Sequence, residues 1–262
     1  MKMDKEAVDQ VREQYQQAGY YIVAQPLVDA ALLQAAVIGM EAVKNEEYDT
    51  AMPPSSHPGY DATKLCKIND VHLANKAIRA LITAPVLGQW AATVTGAHRV
   101  QVWASQLLIK PPGSKAAGHV GWHQDRQYWQ YWQKPDGLFT MWIALSEVRS
   151  NAGPMCFVRG SQQWGFLNQG DFFSSDQEAL RQRIRMHAGK RWQEVPAILP
   201  AGGVTFHHSL TFHGSHANIS KQPRCSIAVH MRTEAAQPVE GDTSYYVSHL
   251  DEPLYSPVIY QE

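Results

Sequence analysis

Cysteine is scarce in this chain of 262 residues, with Cys66, Cys156 and Cys225 as its only thiols. An odd count, wide spacing and no C-x-x-C pair argue against a disulfide framework and a zinc knuckle, and fit a reducing cytoplasm. Charge of one sign is also missing: Lys plus Arg number 23 against 24 for Asp plus Glu. No net field therefore draws the chain to nucleic acid or a membrane surface, and a small-molecule partner is expected. Met1 to Gln10 is charged where a signal peptide needs an apolar stretch, and no later run is expected to reach a bilayer-spanning length, so a soluble protein is expected. Internal repeats are absent. With 44% hydrophobic residues the chain can bury a sizeable core, and a single catalytic domain over 1–262 is the default.

The first 95 residues have mainly helical periodicity. Val8, Val11, Tyr15 and Ala18 lie on one face of a helix that Gly19 stops. Tyr20 to Ala24 predicts a short strand. Pro26 is expected to open a second helix through Leu32, Leu33, Ala36 and Met40. The stretch 48–61, YDTAMPPSSHPGYD, has no period and predicts a lid-like loop. From Ile68 to Val94 the spacing predicts helix again, with Asp70 as a cap and a break at Pro85.

After Gly96 the pattern changes to short β-branched and aromatic runs: 100–110, 138–147, 154–159, 195–199, 203–208 and 225–232. Strands following helices predict a mainly β fold, a jelly roll over 96–235 with helices on one outer face and a C-terminal extension over 236–262. Asp176 to Lys190 reads as a helix inserted between strands, with weak caps.

In GWHQDRQYW, His123 and Asp125 stand two apart, so on extended backbone both side chains point the same way and can grip one ion. Two His and one carboxylate on one octahedral face leave open positions on Fe(II). By itself H-x-D is a weak signal, and more often such a pair is hydrogen-bonded locally or solvated. A third ligand must come from elsewhere, and among the chain's 12 histidines His119, His207, His208, His213 and His216 lie close in sequence to the candidate segments. The aromatic cluster Trp122, Tyr128, Trp129, Tyr131 and Trp132 is more often packing than a substrate platform, although its place after the H-x-D suits a cavity rim.

The stretch GGVTFHHSLTFHGSHANISKQPRCSIAV resembles the distal motif of the phytanoyl-CoA dioxygenase family, an aromatic strand followed by H-G-S, Asn, Ser and P-R. QLLIKPPGS and MWIALSEVRSNAGPMCFVRGSQQWG are similar to further phrases of that family, so the resemblance covers most of the chain. It departs at Gly203, where an acidic turn residue is commoner, and at Gln162, where the family's G-S-H phrase would have His.

The resemblance implies a double-stranded β-helix, cupin-like, carrying Fe(II) on His123, Asp125 and His213 and using 2-oxoglutarate and O2 as co-substrates. It places the 2-oxoglutarate-binding Arg at Arg224, with Ser226 completing an R-x-S pattern, and puts Gln106, Lys110 and Trp142 on strands lining that pocket. His207 is then a packing residue behind the ligands, and His216 is solvated. Hydroxylation of a small apolar or aromatic molecule, with release of succinate and CO2, is the expected reaction. Halogenation is disfavoured because Asp125 fills the position that halogenating relatives leave to halide. The alternatives are a jelly-roll binding protein with a vestigial metal site and a cupin-like metal isomerase that needs no 2-oxoglutarate. A fork for a carboxylate beside the metal is the feature neither alternative requires.

Overall fold

The computed structural model of the chain describes residues 4–113 and 118–262; Met1 to Met3 and Ser114, the last residue of QLLIKPPGS, lie outside the described residues. Helix α1 spans Lys5–Ala18 because Asp4 caps its start, accepting from Ala7 N–H, while Gly19 at φ 81° closes its end. Strand β1 (Tyr20–Val23) follows, then α2 (Ala30–Lys44), whose cap is Asp29 rather than the expected opening at Pro26. Strand β2 (Cys66–Asn69) replaces the first turn of the helix expected from Ile68, for pairing to a long neighbouring strand outweighs local periodicity. Asp70 likewise makes no capping bond to the short α3 (Val71–Ala74); its carboxylate accepts from Ser105 N–H and the Ser55 hydroxyl.

The stretch Lys76–Thr95 is long and apolar enough to cross a membrane, which corrects the expectation that no run approaches that length. It is in fact two helices, α4 (Lys76–Ile82) and α5 (Pro85–Thr95), with Ile78, Leu81, Leu87 and Ala91 buried in the core. Strands β3 (Arg99–Lys110), β4 (Val120–His123), β5 (Leu138–Ala144) and β6 (Met155–Val158) come next. Helix α6 (Gln177–Ala188) is capped firmly: Asp176 accepts from Ala179 N–H and Gly189 adopts φ 60°. The chain continues through β7 (Glu194–Pro196), β8 (Val204–His208), β9 (His213–Ser215), β10 (Arg224–Thr233), α7 (Tyr245–Ser248) and β11 (Val258–Gln261).

The strands form two antiparallel sheets, ordered β1-β8-β5-β10-β3-β11 with β2 also on β3, and β4-β9-β6-β7. This is the double-stranded β-helix. Alternation along β10 divides its work. Cys225, Ile227, Val229 and Met231 enter a core shared with α1, α2, α4 and α5, whereas Ala228 packs in the space between the sheets. Register carries that parity across the large sheet. Ala228 lies opposite Gln106 and Trp142, and His230 opposite Thr140, which in turn faces His207. One face of these four strands thus bears helices, and the other turns Gln106, Thr140, His207 and His230 towards the cavity.

Candidate metal centre and carboxylate pocket

His123 ends β4 and His213 begins β9, and these two residues are direct partners in the antiparallel ladder. The pairing brings together residues far apart in sequence, with ring centroids 4.1 Å apart. Asp125 follows on a 3-10 turn, and its Oδ1 lies 3.6 Å from Nε2 of each histidine. All three side chains are buried, and their ligand atoms lie within 4.8 Å of one another.

The tautomers suit a metal. Nδ1 of His123 lies 2.7 Å from Gly121 O, and Nδ1 of His213 lies 3.0 Å from Thr211 O. Each Nδ1 donates its proton to its carbonyl, which turns Nε2 of both rings towards the Asp125 oxygen and makes it the ring atom placed to bind a metal. Burial opposes the charge on Asp125, yet His213, His123 and His207 around it hold the carboxyl well below the usual carboxylate range. Burial, followed by the neighbouring His123 and His207, holds His213 below its ordinary value and therefore unprotonated. Two imidazoles presenting Nε2 and one carboxylate are the donor set a divalent cation takes, so the residues present fit iron.

The triad opens on a cavity lined on the large sheet by Gln106, Leu108, Thr140, Trp142, Arg224 and His230. Arg224, at the start of β10, is 3% exposed, donates from Nη1 to Ser226 Oγ at 3.2 Å and stacks over Trp142 at 5.1 Å. Its Nε has no partner, and no carboxylate among the described residues pairs with it. Burial alone brings its pKa down to about 10. A guanidinium held dry without a counter-ion is a site for an anion.

Of the residues the sequence suggested, His123, Asp125, His213, Arg224, Gln106 and Trp142 meet at this cavity. Ser226 and Lys110 sit behind its wall. Ser226 braces Arg224, while the Lys110 ammonium donates to Ser215 Oγ at 2.6 Å and to His216 O, fixing the turn after His213. The aromatic cluster splits: Trp122, opposite in parity to His123, packs against Trp192, whereas Trp129 and Trp132 join Trp103. Of that cluster Tyr128 stays at the rim, 6.0 Å from the His123 ring, its hydroxyl accepting from Phe172 N–H.

Sequence reasoning missed Phe172, Thr140 and His230. Phe172 lines the cavity edge-on to His123 at 5.1 Å from an irregular loop that carries no motif. Strand parity from Ser226 could have found His230, but nothing local marks Thr140. His207 faces the cavity as its parity requires, 3.2 Å from Asp125 Oδ2, and neither ring nitrogen has a hydrogen-bond partner among the described residues.

A family model described as phytanoyl-CoA dioxygenase (PhyH) matches residues 15–226. A probable alpha-ketoglutarate-dependent hypophosphite dioxygenase of Stutzerimonas stutzeri is 25% identical over 230 residues, covering 85% of this chain and 74% of the relative. An ectoine dioxygenase of Bordetella parapertussis is 27% identical over 251 residues, covering 86% and 74%. In structure the chain is similar to the non-heme alpha ketoglutarate dependent carbocyclase SnoK from nogalamycin biosynthesis, with a TM-score of 0.70 at 23% identity over 95% of this chain and 91% of that one.

Proposed function

The chain belongs to the phytanoyl-CoA dioxygenase family, and on that premise we propose how its residues divide the work of an Fe(II)- and 2-oxoglutarate-dependent dioxygenase acting on a small organic molecule. Nε2 of His123, Oδ1 of Asp125 and Nε2 of His213 would hold iron beside the cavity. Arg224, braced by Ser226 and Trp142, takes the distal carboxylate of 2-oxoglutarate in a two-pronged pair, so that binding energy far from the reacting carbon fixes the co-substrate's orientation. Lys110 keeps the His213 turn in place, and Gln106 offers an amide to the cavity. Iron and 2-oxoglutarate, when bound, supply the oxidant that removes a substrate hydrogen while succinate and CO2 leave. The protein contributes position, a largely apolar wall and a pair of imidazoles.

The observation that carries this assignment is Arg224, a buried cation without a carboxylate partner among the described residues, on the same cavity as the triad. A binding module or a metal isomerase has no use for such a group. Calorimetry of 2-oxoglutarate with the Co(II)-loaded protein tests it: binding that requires both the metal and Arg224 supports the reading, and binding indifferent to either overturns it.

For the substrate we favour an apolar or aromatic body, supported by Leu108, Val120, Met155 and Phe172 on the cavity wall. Hydroxylation is the favoured outcome. Cytoplasmic residence is supported by the three free, buried thiols.

A further inference from the structure

The two oxygens of Asp125 have different surroundings. Oδ1 faces both histidine Nε2 atoms at 3.6 Å, and Oδ2 turns away to the Thr140 hydroxyl at 2.7 Å. The Thr140 hydroxyl donates its single proton to Oδ2. His230 Nδ1 lies 2.9 Å from the same hydroxyl oxygen and must therefore donate to it. Nδ1 carries the ring proton, which leaves Nε2 as an acceptor on a side chain that lines the cavity.

The imidazole cannot swing away. Trp103 stacks on it at 5.3 Å and Trp129 meets it edge-on at 4.9 Å. Burial pulls its pKa down to about 4, so it is neutral at neutral pH. Every donor in the series points from the cavity towards the metal ligand, and the three residues come from the turn after β4, from β5 and from β10.

We propose that His230 and Thr140 form a relay of positioning residues that holds Asp125 as a one-oxygen metal ligand and ties its orientation to the cavity wall. With Oδ2 occupied by Thr140, the carboxylate offers only Oδ1 to the ion, and coordination positions that a two-oxygen grip would fill stay open. The relay rests on the metal assignment made above and adds to it two residues that touch no metal. Partners that orient a ligand in this way commonly shift metal affinity by about 10- to 100-fold.

Co(II) is the probe, read by its affinity and by its visible absorption bands with and without 2-oxoglutarate, beside thermal melting. Thr140→Val keeps the side chain's shape and removes the hydroxyl, whereas Thr140→Ser keeps the hydroxyl. The expected result is a Co(II) affinity about 10-fold or more weaker in Thr140→Val with altered bands, and recovery of both in Thr140→Ser. His230→Phe keeps the stacked ring without its donor and should move the bands in the same direction; it decides the matter if Thr140→Val fails to fold. Wild-type affinity and bands in Thr140→Val, or in His230→Phe when that variant alone is folded, would overturn the relay. Should the wild-type protein itself show no Co(II) bands that respond to 2-oxoglutarate, the assignment of the site fails, an outcome distinct from failure of the relay.

Discussion

The Arg224 guanidinium carbon sits 5.1 Å from the centre of the Trp142 ring, with Nε left without a hydrogen-bond partner. The indole face offers a cation a surface but cannot cancel its charge, so the pocket is organised for an anion that arrives from outside. Removing one member of a buried, hydrogen-bonded charge pair costs about 2 to 5 kcal/mol. Arg224→Ala should therefore raise the Michaelis constant for 2-oxoglutarate at least about tenfold, with Co(II) content unchanged. Arg224→Lys should fall between the two, because a point charge replaces a fork. Equal constants in wild type and Arg224→Ala would remove the co-substrate from this pocket.

His123 and Asp125 were legible because two ligands separated by one residue need only extended backbone, and His213 with Arg224 because their motif is contiguous. Partnership was not legible. That His123 pairs directly with His213 depends on a ladder between two short strands whose sequences carry no alternation long enough to read. The Asp125, Thr140 and His230 series spans separations of 15 and 90 residues, so only the folded sheet brings it together. Strand β2 was hidden for another reason: four residues, Cys66 to Asn69, run into helical spacing and are extended only because β3 is there to pair with them.

The choice of the third ligand makes a second prediction. His213→Ala, His123→Ala and Asp125→Ala should each lose bound metal and turnover while the protein stays folded, since the ligands lie at or just beyond the ends of short strands and line the cavity. His208→Ala should keep both, because that ring's Nδ1 is already engaged locally by Leu210 N–H at 3.0 Å. Metal analysis of the purified variants checks this, and metal retained in His213→Ala but lost in His208→Ala would reverse the assignment.

Close backbone approach near the site gives a third. A Cβ at Gly121 would fall 1.9 Å from Asp171 O, and Gly121 N–H donates to Phe172 O at 2.9 Å. Gly121→Ala must push away the loop that carries Phe172 and also disturb the carbonyl that orients His123. Overpacking of this kind costs about 1 to 3 kcal/mol, a fall in Tm of at least about 2 °C. Co(II) affinity should weaken with it; a variant with wild-type Tm and wild-type affinity would show that the loop yields freely.

The segment 48–61 is pinned more than a lid-like loop would be. Ser56 bridges Asn69, the Thr50 hydroxyl donates to Leu73 O at 2.6 Å, and His57 Nε2 lies 2.9 Å from Val43 O. Beyond His57 exposure becomes nearly continuous, at Pro58, Gly59, Tyr60, Ala62, Thr63 and Lys64. Limited proteolysis should therefore cut within 58–64 and spare 50–57, and protection of 58–64 on adding 2-oxoglutarate would support closure of that outer part over the cavity. Rapid cutting within 50–57 would show that the tethers do not hold in solution.

Asp70 makes stability depend on pH in a predictable direction. Burial raises its pKa from 3.8 to about 6, against the lowering effect of hydrogen bonds from Ser55 and Ser105. Below pH of about 4 both folded and unfolded chains carry the proton and the site costs nothing. As pH rises from there towards 6, the unfolded chain releases its proton while the folded one retains it, so stability falls, and it levels off once the folded group has ionised. A shift of this size corresponds to about 3 kcal/mol. Asp70→Asn retains an oxygen for the Ser105 N–H and carries no charge at any pH. Urea unfolding from pH 4 to 7 should show stability falling more steeply in wild type than in Asp70→Asn, with the two curves separating as pH rises. Parallel curves across that range would mean that the carboxylate is solvated in the folded protein and that its two hydrogen bonds compensate its burial.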